Sequence, residues 1–390
     1  MDKLQRLKKP IFLISLPNYF LGFIIPIYAL QLGSNAVEIG MLFSVFSFFS
    51  IIMRPLVGRW TDKGGRKKGF IIGLVTFTLA RLIFLVGRSY IYLFIARIIQ
   101  CIAASFFSIS LDAMISDMSS IDDRSKNFGI ITQYSSRGAF IGSFIGFTIL
   151  FNGIVDDPFK LIFGIYFIIS VLAVYFAVKD VDESIGEKRE VKSTKILINK
   201  TFIKYLMIIG VLALANGITA PIFVIYLKEH ITKDLGLISL MFIPGGILAM
   251  YLPSKLGKLA DDFGRKKLMV IGLAFEAIFT LLMPFARSYI FFVVLYALIT
   301  FAGLMSIPAQ RALVSEITGD DERGRSYGLY HLSLGLGGIF GPLIGGGIYQ
   351  YINKDLVFFV EGVGLFLITI FIMFFIKSDN KIPNRDMLEI

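Results

Sequence analysis

The sequence predicts an all-α membrane protein with about twelve transmembrane helices in two parallel six-helix repeats. Three observations carry this. Of the 390 residues, 56% are hydrophobic and 17% charged, with a mean hydropathy of +0.76, which leaves too little polar surface for a soluble chain of this length. Apolar stretches long enough to cross a ~30 Å hydrocarbon core recur along the whole chain. The second half also repeats the first at a constant shift of 199 residues, from 58 to 257 and from 88 to 287.

The apolar runs fall in order near 11–30, 37–57, 69–87, 91–115, 128–151 and 159–178, then near 203–227, 235–254, 268–286, 289–314, 327–351 and 356–376. The basic start, Met1 to Pro10, leads into a long apolar run with no small-residue cleavage pattern, so it reads as the flank of a first span. With the N-terminus placed in the cytoplasm, 28 of the 39 Lys and Arg fall in inner segments and six in outer loops. That bias sets both termini on the cytoplasmic side. The net charge of +11 is then a topology signal and a contact for the lipid bilayer, and nucleic acid is not an expected partner. The single cysteine, Cys101, excludes an intrachain disulfide and reads as a small packing residue.

The repeat is specific. Gly58-Arg-Trp-Thr-Asp62-Lys-Gly-Gly65-Arg66-Lys-Lys resembles Gly257-Lys-Leu-Ala-Asp261-Asp-Phe-Gly264-Arg265-Lys-Lys, and Arg88-Ser-Tyr-Ile recurs at Arg287. Asp117, Arg124, Gly129, Gly138, Gly142 and Gly146 align with Glu316, Arg323, Gly328, Gly337, Gly341 and Gly345. An even number of helices per half makes the repeats parallel, about an axis along the membrane normal. The expected organisation is a first bundle over 1–178, a charged cytoplasmic linker over 179–200 that reads as solvated, and a second bundle over 201–390.

The Gly58–Arg66 segment, in the loop after the second span, resembles the loop signature of the major facilitator superfamily, and the chain carries it twice. The resemblance covers about residues 10–378 and implies helices arranged around a central cavity, working by alternating access. The residues support it. Glycines permit tight turns and close helix approach. Asp62 is placed to face a helix N-terminus, where a carboxylate is favoured. Arg66 needs an anion, for which Asp117 is the candidate; Arg265 and Glu316 are their copies with signs kept. The resemblance implies a network that holds the cytoplasmic side closed in one conformation.

A second resemblance lies in the fourth span, where Arg97, Gln100 and Cys101 stand where the family has Arg, Gln and Gly, an arginine associated with proton coupling. The fifth span has Gly138, Gly142 and Gly146 but carries Ser143 and Phe147 in place of the remaining Pro and Gly of the drug:proton antiporter signature; the eleventh span holds the complete form, Gly341-Pro342 and Gly345-Gly346. The chain is therefore similar to the efflux branch without its full antiporter signature.

Ionisable residues in membrane helices are functional candidates. Arg97 and Arg137 sit in spans that the resemblance places beside the cavity, although Arg97 is near enough to an outer end to snorkel. Asn18, Gln100, Gln133, Asn216 and Gln310 are candidate cavity residues beside them. Arg81, Glu276 and Glu361 read as groups in structural pairs or snorkelling to an interface, and Arg54, near a cytoplasmic end, as structural. Asp112 and Arg311 are copies whose sign inverts, and an ion pair between the halves is expected of them, against the alternative that each pairs within its own half.

The expected function is secondary active transport of a small-molecule substrate, as proton-coupled efflux of amphipathic compounds. The alternative is uptake or export of a specific polar or anionic metabolite. A non-transporting sensor is disfavoured, since no soluble signalling domain is appended. With no G-x-x-x-x-G-K-[ST] loop, ATP-driven transport is not expected. No catalytic or metal constellation appears, so an enzyme and a cofactor are not expected. The coupling ion is expected to be the proton, and the state monomeric.

Overall fold

The computed structural model describes residues 3–118, 124–152, 156–184, 197–252, 255–256, 259–260, 263–318, 323–375 and 387–389. The helices are α1 (Lys3–Ser15), α2 (Asn18–Gln31), α3 (Ala36–Gly64), α4 (Arg66–Val86), α5 (Tyr90–Asp117), α6 (Arg124–Asn152) and α7 (Pro158–Asp180). After them come α8 (Lys200–Thr219), α9 (Phe223–His230), α10 (Leu235–Leu240), α11 (Phe242–Tyr251), α12 (Arg265–Leu282), α13 (Tyr289–Thr318), α14 (Arg323–Tyr351) and α15 (Leu356–Phe375). One short antiparallel pair joins β1 (Leu197–Asn199) to β2 (Met387–Glu389), with Leu197 opposite Glu389.

Among the described residues, ten helical stretches are long and apolar enough to cross a membrane. The fifth and eighth expected spans are not among those ten. Helix α6 has 29 residues but carries Arg124, Lys126 and Arg137. The eighth is divided into α10 and α11, with a short apolar stretch over Gly236–Ala249. Two spans are interrupted. The first, Leu4–Gln31, is divided into α1 and α2 at Leu16-Pro17; the seventh, Lys200–His230, is divided into α8 and α9 at Ala220-Pro221-Ile222. Proline has no N–H to donate to the preceding turn, so a helix ends there readily.

The chain forms two compact units, one of residues 1–35 and 45–191, the other of 36–44 and 192–390. In the first, α4 packs on α5 and α7, and α6 on α1. Its apolar core gathers Leu7, Ile11, Phe70, Leu74, Ala103 and Met114. The glycine stripe of α6 makes the close approach: a Cβ at Gly142 would collide with the Leu16 carbonyl oxygen, and one at Gly146 would lie 2.7 Å from the Phe20 ring. In the second unit, α14 meets α8 in the same way. A Cβ at Gly345 would collide with the Ile218 carbonyl, and one at Gly341 would lie 2.5 Å from the Leu214 oxygen. The start of α3 belongs to this unit, where Ser44 Oγ donates to the Ile339 carbonyl of α14 at 2.6 Å. Large apolar side chains such as Phe144, Ile168, Met207 and Phe374 stand on the outside of the helices, as expected where lipid is the solvent.

Candidate functional site

The loop signature of the first unit forms a connected polar network. Gly65 takes φ +99°, a conformation open to glycine, and α4 starts at the next residue. The first turn of a helix has N–H groups without partners. Here Glu183 supplies them: its Oε1 accepts from the backbone N–H of Arg66 at 2.8 Å and of Lys67 at 3.0 Å. The carboxylate also sits at the positive end of the α4 dipole. The Arg66 guanidinium pairs with the Asp117 carboxylate, to which Ser184 Oγ donates at 3.4 Å. Arg6 pairs with Asp182. The start of the linker is therefore packed against the bundle, with Val181 1% exposed. Three consecutive residues, Asp182, Glu183 and Ser184, each hold a different element.

The second copy keeps the local geometry. Gly264 has φ +101° and α12 starts at Arg265. Gly257, Asp261 and the side chains of Asp62, Glu316 and Arg311 lie outside the described residues. A Cβ at Gly58 would meet nothing within 4 Å, so no close helix approach requires glycine there.

Within the spans, the structure brings some of the expected residues together. Arg97 is 7% exposed; its Nη1 donates to Gln100 Oε1 at 2.9 Å, and its guanidinium lies 4.6 Å from the centre of the Phe46 ring of α3. Arg97 is thus held inside the first unit and does not snorkel to an interface. Arg137 is exposed, with its guanidinium 5.7 Å from the centre of the Tyr134 ring, and Gln133 is exposed one turn before it. Asn18 is exposed at the start of α2. Asp112 is exposed on α5. In the second unit, Gln310 is buried with its Nε2 3.3 Å from Ser306 Oγ, while Asn216 Oδ1 is buried with no hydrogen-bond partner among the described residues.

Two six-helix repeats, a loop signature present twice and interrupted first helices of each half define the comparison to known proteins. The sequence model described as Major Facilitator Superfamily matches residues 11–254 and 205–386. The chain belongs to the Major Facilitator Superfamily. It is a multi-pass membrane transporter of that fold. It is 28% identical to Multidrug resistance protein 2 of Bacillus subtilis (strain 168), over 94% of this chain and 96% of that protein. It is 26% identical to Quinolone resistance protein NorA of Staphylococcus aureus (strain MSSA476), over 91% and 92% respectively. The crystal structure of a mutant of the nucleoside transporter NupG superposes with a TM-score of 0.78 at 15% identity, covering 96% of this chain and 100% of that one; this likeness is one of fold.

Against the superfamily's antiporter signature, the departure at Phe147 has a structural reason. Its ring packs edge-on against Phe20 at 5.1 Å and Phe23 at 5.2 Å, filling the space beside the glycine stripe. Sequence reasoning missed Glu183 as a helix cap. The available signal was an acidic run directly after the sixth span, facing a helix start rich in free N–H groups. Arg81, Glu276 and Glu361 are further buried ionisable groups of the spans. All three are more than nine-tenths buried. Arg81 is held by Ser170 Oγ and by the Ile14 carbonyl, the latter at 2.7 Å from Nη2. Glu361 accepts from Thr219 Oγ1.

Proposed function

We propose that this transporter exports small amphipathic compounds across the cell membrane, driven by protons moving inward, with both termini in the cytoplasm and one chain as the working unit. The observation that carries this reading is the near full-length similarity to two resistance proteins, one of them named for quinolones. The geometry supports it. The Arg66–Asp117 pair, buttressed by Glu183 and Ser184, is a reversible polar lock of the kind a two-state transporter needs on one face. Arg97 and Arg137 are the residues we assign to the transport path, Arg97 as the buried cation linked to Gln100 and Arg137 as the exposed one.

A second reading, export or uptake of an anionic metabolite, is favoured by the exposed Arg137. One experiment separates the two. Expressed in a strain stripped of its own efflux pumps, the protein should raise resistance to ethidium and fluoroquinolones and speed ethidium extrusion. A protonophore should abolish that extrusion. Unchanged sensitivity to every cationic and amphipathic compound, with altered handling of organic acids, would support the second reading.

A further inference from the structure

The interruption of the seventh span brings together groups that the transport reading does not use. Helix α8 ends at Thr219, and the span resumes at Phe223 after Pro221. Glu361 of α15 reaches that end of α8, and α12, which carries Glu276, packs on α15. Glu276 and Glu361 are 8% and 7% exposed. Thr219 Oγ1 donates to Glu361 Oε2. The residues next to the two acids are in close contact, since a Cβ at Gly362 would lie 3.2 Å from the Ala277 carbonyl oxygen, and Glu276 makes no hydrogen bond or ion pair among the described residues. It lies beside the bare backbone of Gly303 on α13, where an added Cβ would be 3.8 Å from Oε1.

Among the described residues, no cation is placed to neutralise the pair. The charged residues of the surrounding helices stand toward their cytoplasmic ends: Lys200 and Lys204 on α8, Arg265, Lys266 and Lys267 on α12, Arg323 and Arg325 on α14, and Arg311 with Glu316 on α13. Measured along each helix axis from Thr219, Glu276 or Gly303, the nearest of those on α8, α12 and α13 are roughly 12–22 Å away. Toward the other end lie further charged groups, several of them with partners of their own. Glu229 is bonded to Lys354 and Tyr349, Asp355 to Tyr226, and His230 is stacked on Tyr226.

An isolated carboxylate in an apolar interior is far costlier than a neutral acid, and two adjacent ones repel each other as well. The C-terminal end of α8 adds the negative pole of its dipole. A carboxyl pair with one hydroxyl donor and no cation satisfies its surroundings by taking up protons from water, forming an O–H bond on a carboxylate oxygen. Release returns the proton to water when the junction of α8, α12 and α15 opens.

We propose that Glu276 and Glu361, with Thr219, form a proton-binding site of the second unit at the interruption of the seventh span. Its use in coupling rests on the proton-driven export proposed above; the binding of protons does not. Infrared difference spectra of the purified protein between neutral and alkaline pH test the binding directly. The wild type should show the carbonyl band of a buried protonated acid, and Glu276→Gln and Glu361→Gln should each remove part of it. Thr219→Val should shift the band while keeping the site occupied, and serves if a Gln variant fails to fold. In proteoliposomes, Glu361→Gln should lower proton-driven ethidium transport about tenfold, an ordinary coupling between linked sites, while substrate exchange without a gradient stays near wild type. A band unchanged in both Gln variants, or a double variant with the wild-type pH profile of driven transport, overturns the proposal. If the band responds but wild-type transport ignores the proton gradient, the site stands as a proton-binding site and the export reading fails.

Discussion

Each unit buries an ionisable cluster where its first span is interrupted, and the two clusters have opposite sign. In the first unit, Arg81 donates to the Ile14 carbonyl in the last turn of α1 and to Ser170 of α7. In the second, Glu361 accepts from Thr219, the last residue of α8, and Glu276 is buried on α12, which packs on α15. Under the 199-residue shift, Arg81 maps to Thr280, and Glu276 lies one turn before that position. The carbonyl end of a helix suits a cation and disfavours an anion. Arginine keeps its charge under all ordinary conditions, so the first junction is a permanent weld. An acid pair can gain and lose protons, so the second can change state. The repeat thus preserves a polar junction at the break while its chemistry diverges.

The largest expected effect tests what the units share. Gly142→Leu and Gly345→Leu each force a side chain into a backbone carbonyl of the partner helix. Each should cost more than about 3 kcal/mol and leave little monodisperse protein in detergent. A well-folded Gly345→Leu beside an unfolded Gly142→Leu would show that the two stripes are not equivalent.

A smaller effect should separate the units. Arg81→Met removes the donor to Ile14 and should cost about 1–3 kcal/mol of stability, seen as a lower thermal midpoint, with the pH profile of transport unchanged. Glu361→Gln keeps shape and hydrogen bonding and should cost less than about 1 kcal/mol. Equal losses in the two variants would remove the distinction between weld and switch.

The polar lock of the first unit should give a modest effect, because an exposed ion pair contributes only about 0.2–1 kcal/mol. Arg66→Asp and Asp117→Arg should each slow transport, and the double variant should recover part of the rate. No recovery would mean that the pair acts through other partners. The smallest change is expected for Glu183→Gln, which keeps the cap on α4 but loses the charge, worth about 0.3–1 kcal/mol. Its thermal midpoint should fall slightly, and less at high salt.

Much of the architecture was legible because it is periodic. Spans follow from apolar length, and the constant shift pairs Arg66 with Asp117 by conserved sign, a pairing the structure contains. What was not legible depends on which helix faces which. Nothing in the period of α12 or α15 states that their buried acids lie on packed helices, or that Glu361 meets the end of α8. The breaks at Pro17 and Pro221 were hidden inside continuous apolar runs, where composition alone reads as an unbroken span. Glu183 was hidden because capping depends on how a linker folds back, which composition does not encode.

The most direct test of the account is ethidium transport in proteoliposomes under an imposed proton gradient. Ethidium should move uphill, opposite to the proton flux, and both flows should stop when a protonophore collapses the gradient. Ethidium movement that is downhill only, and equal with or without the gradient, would contradict it.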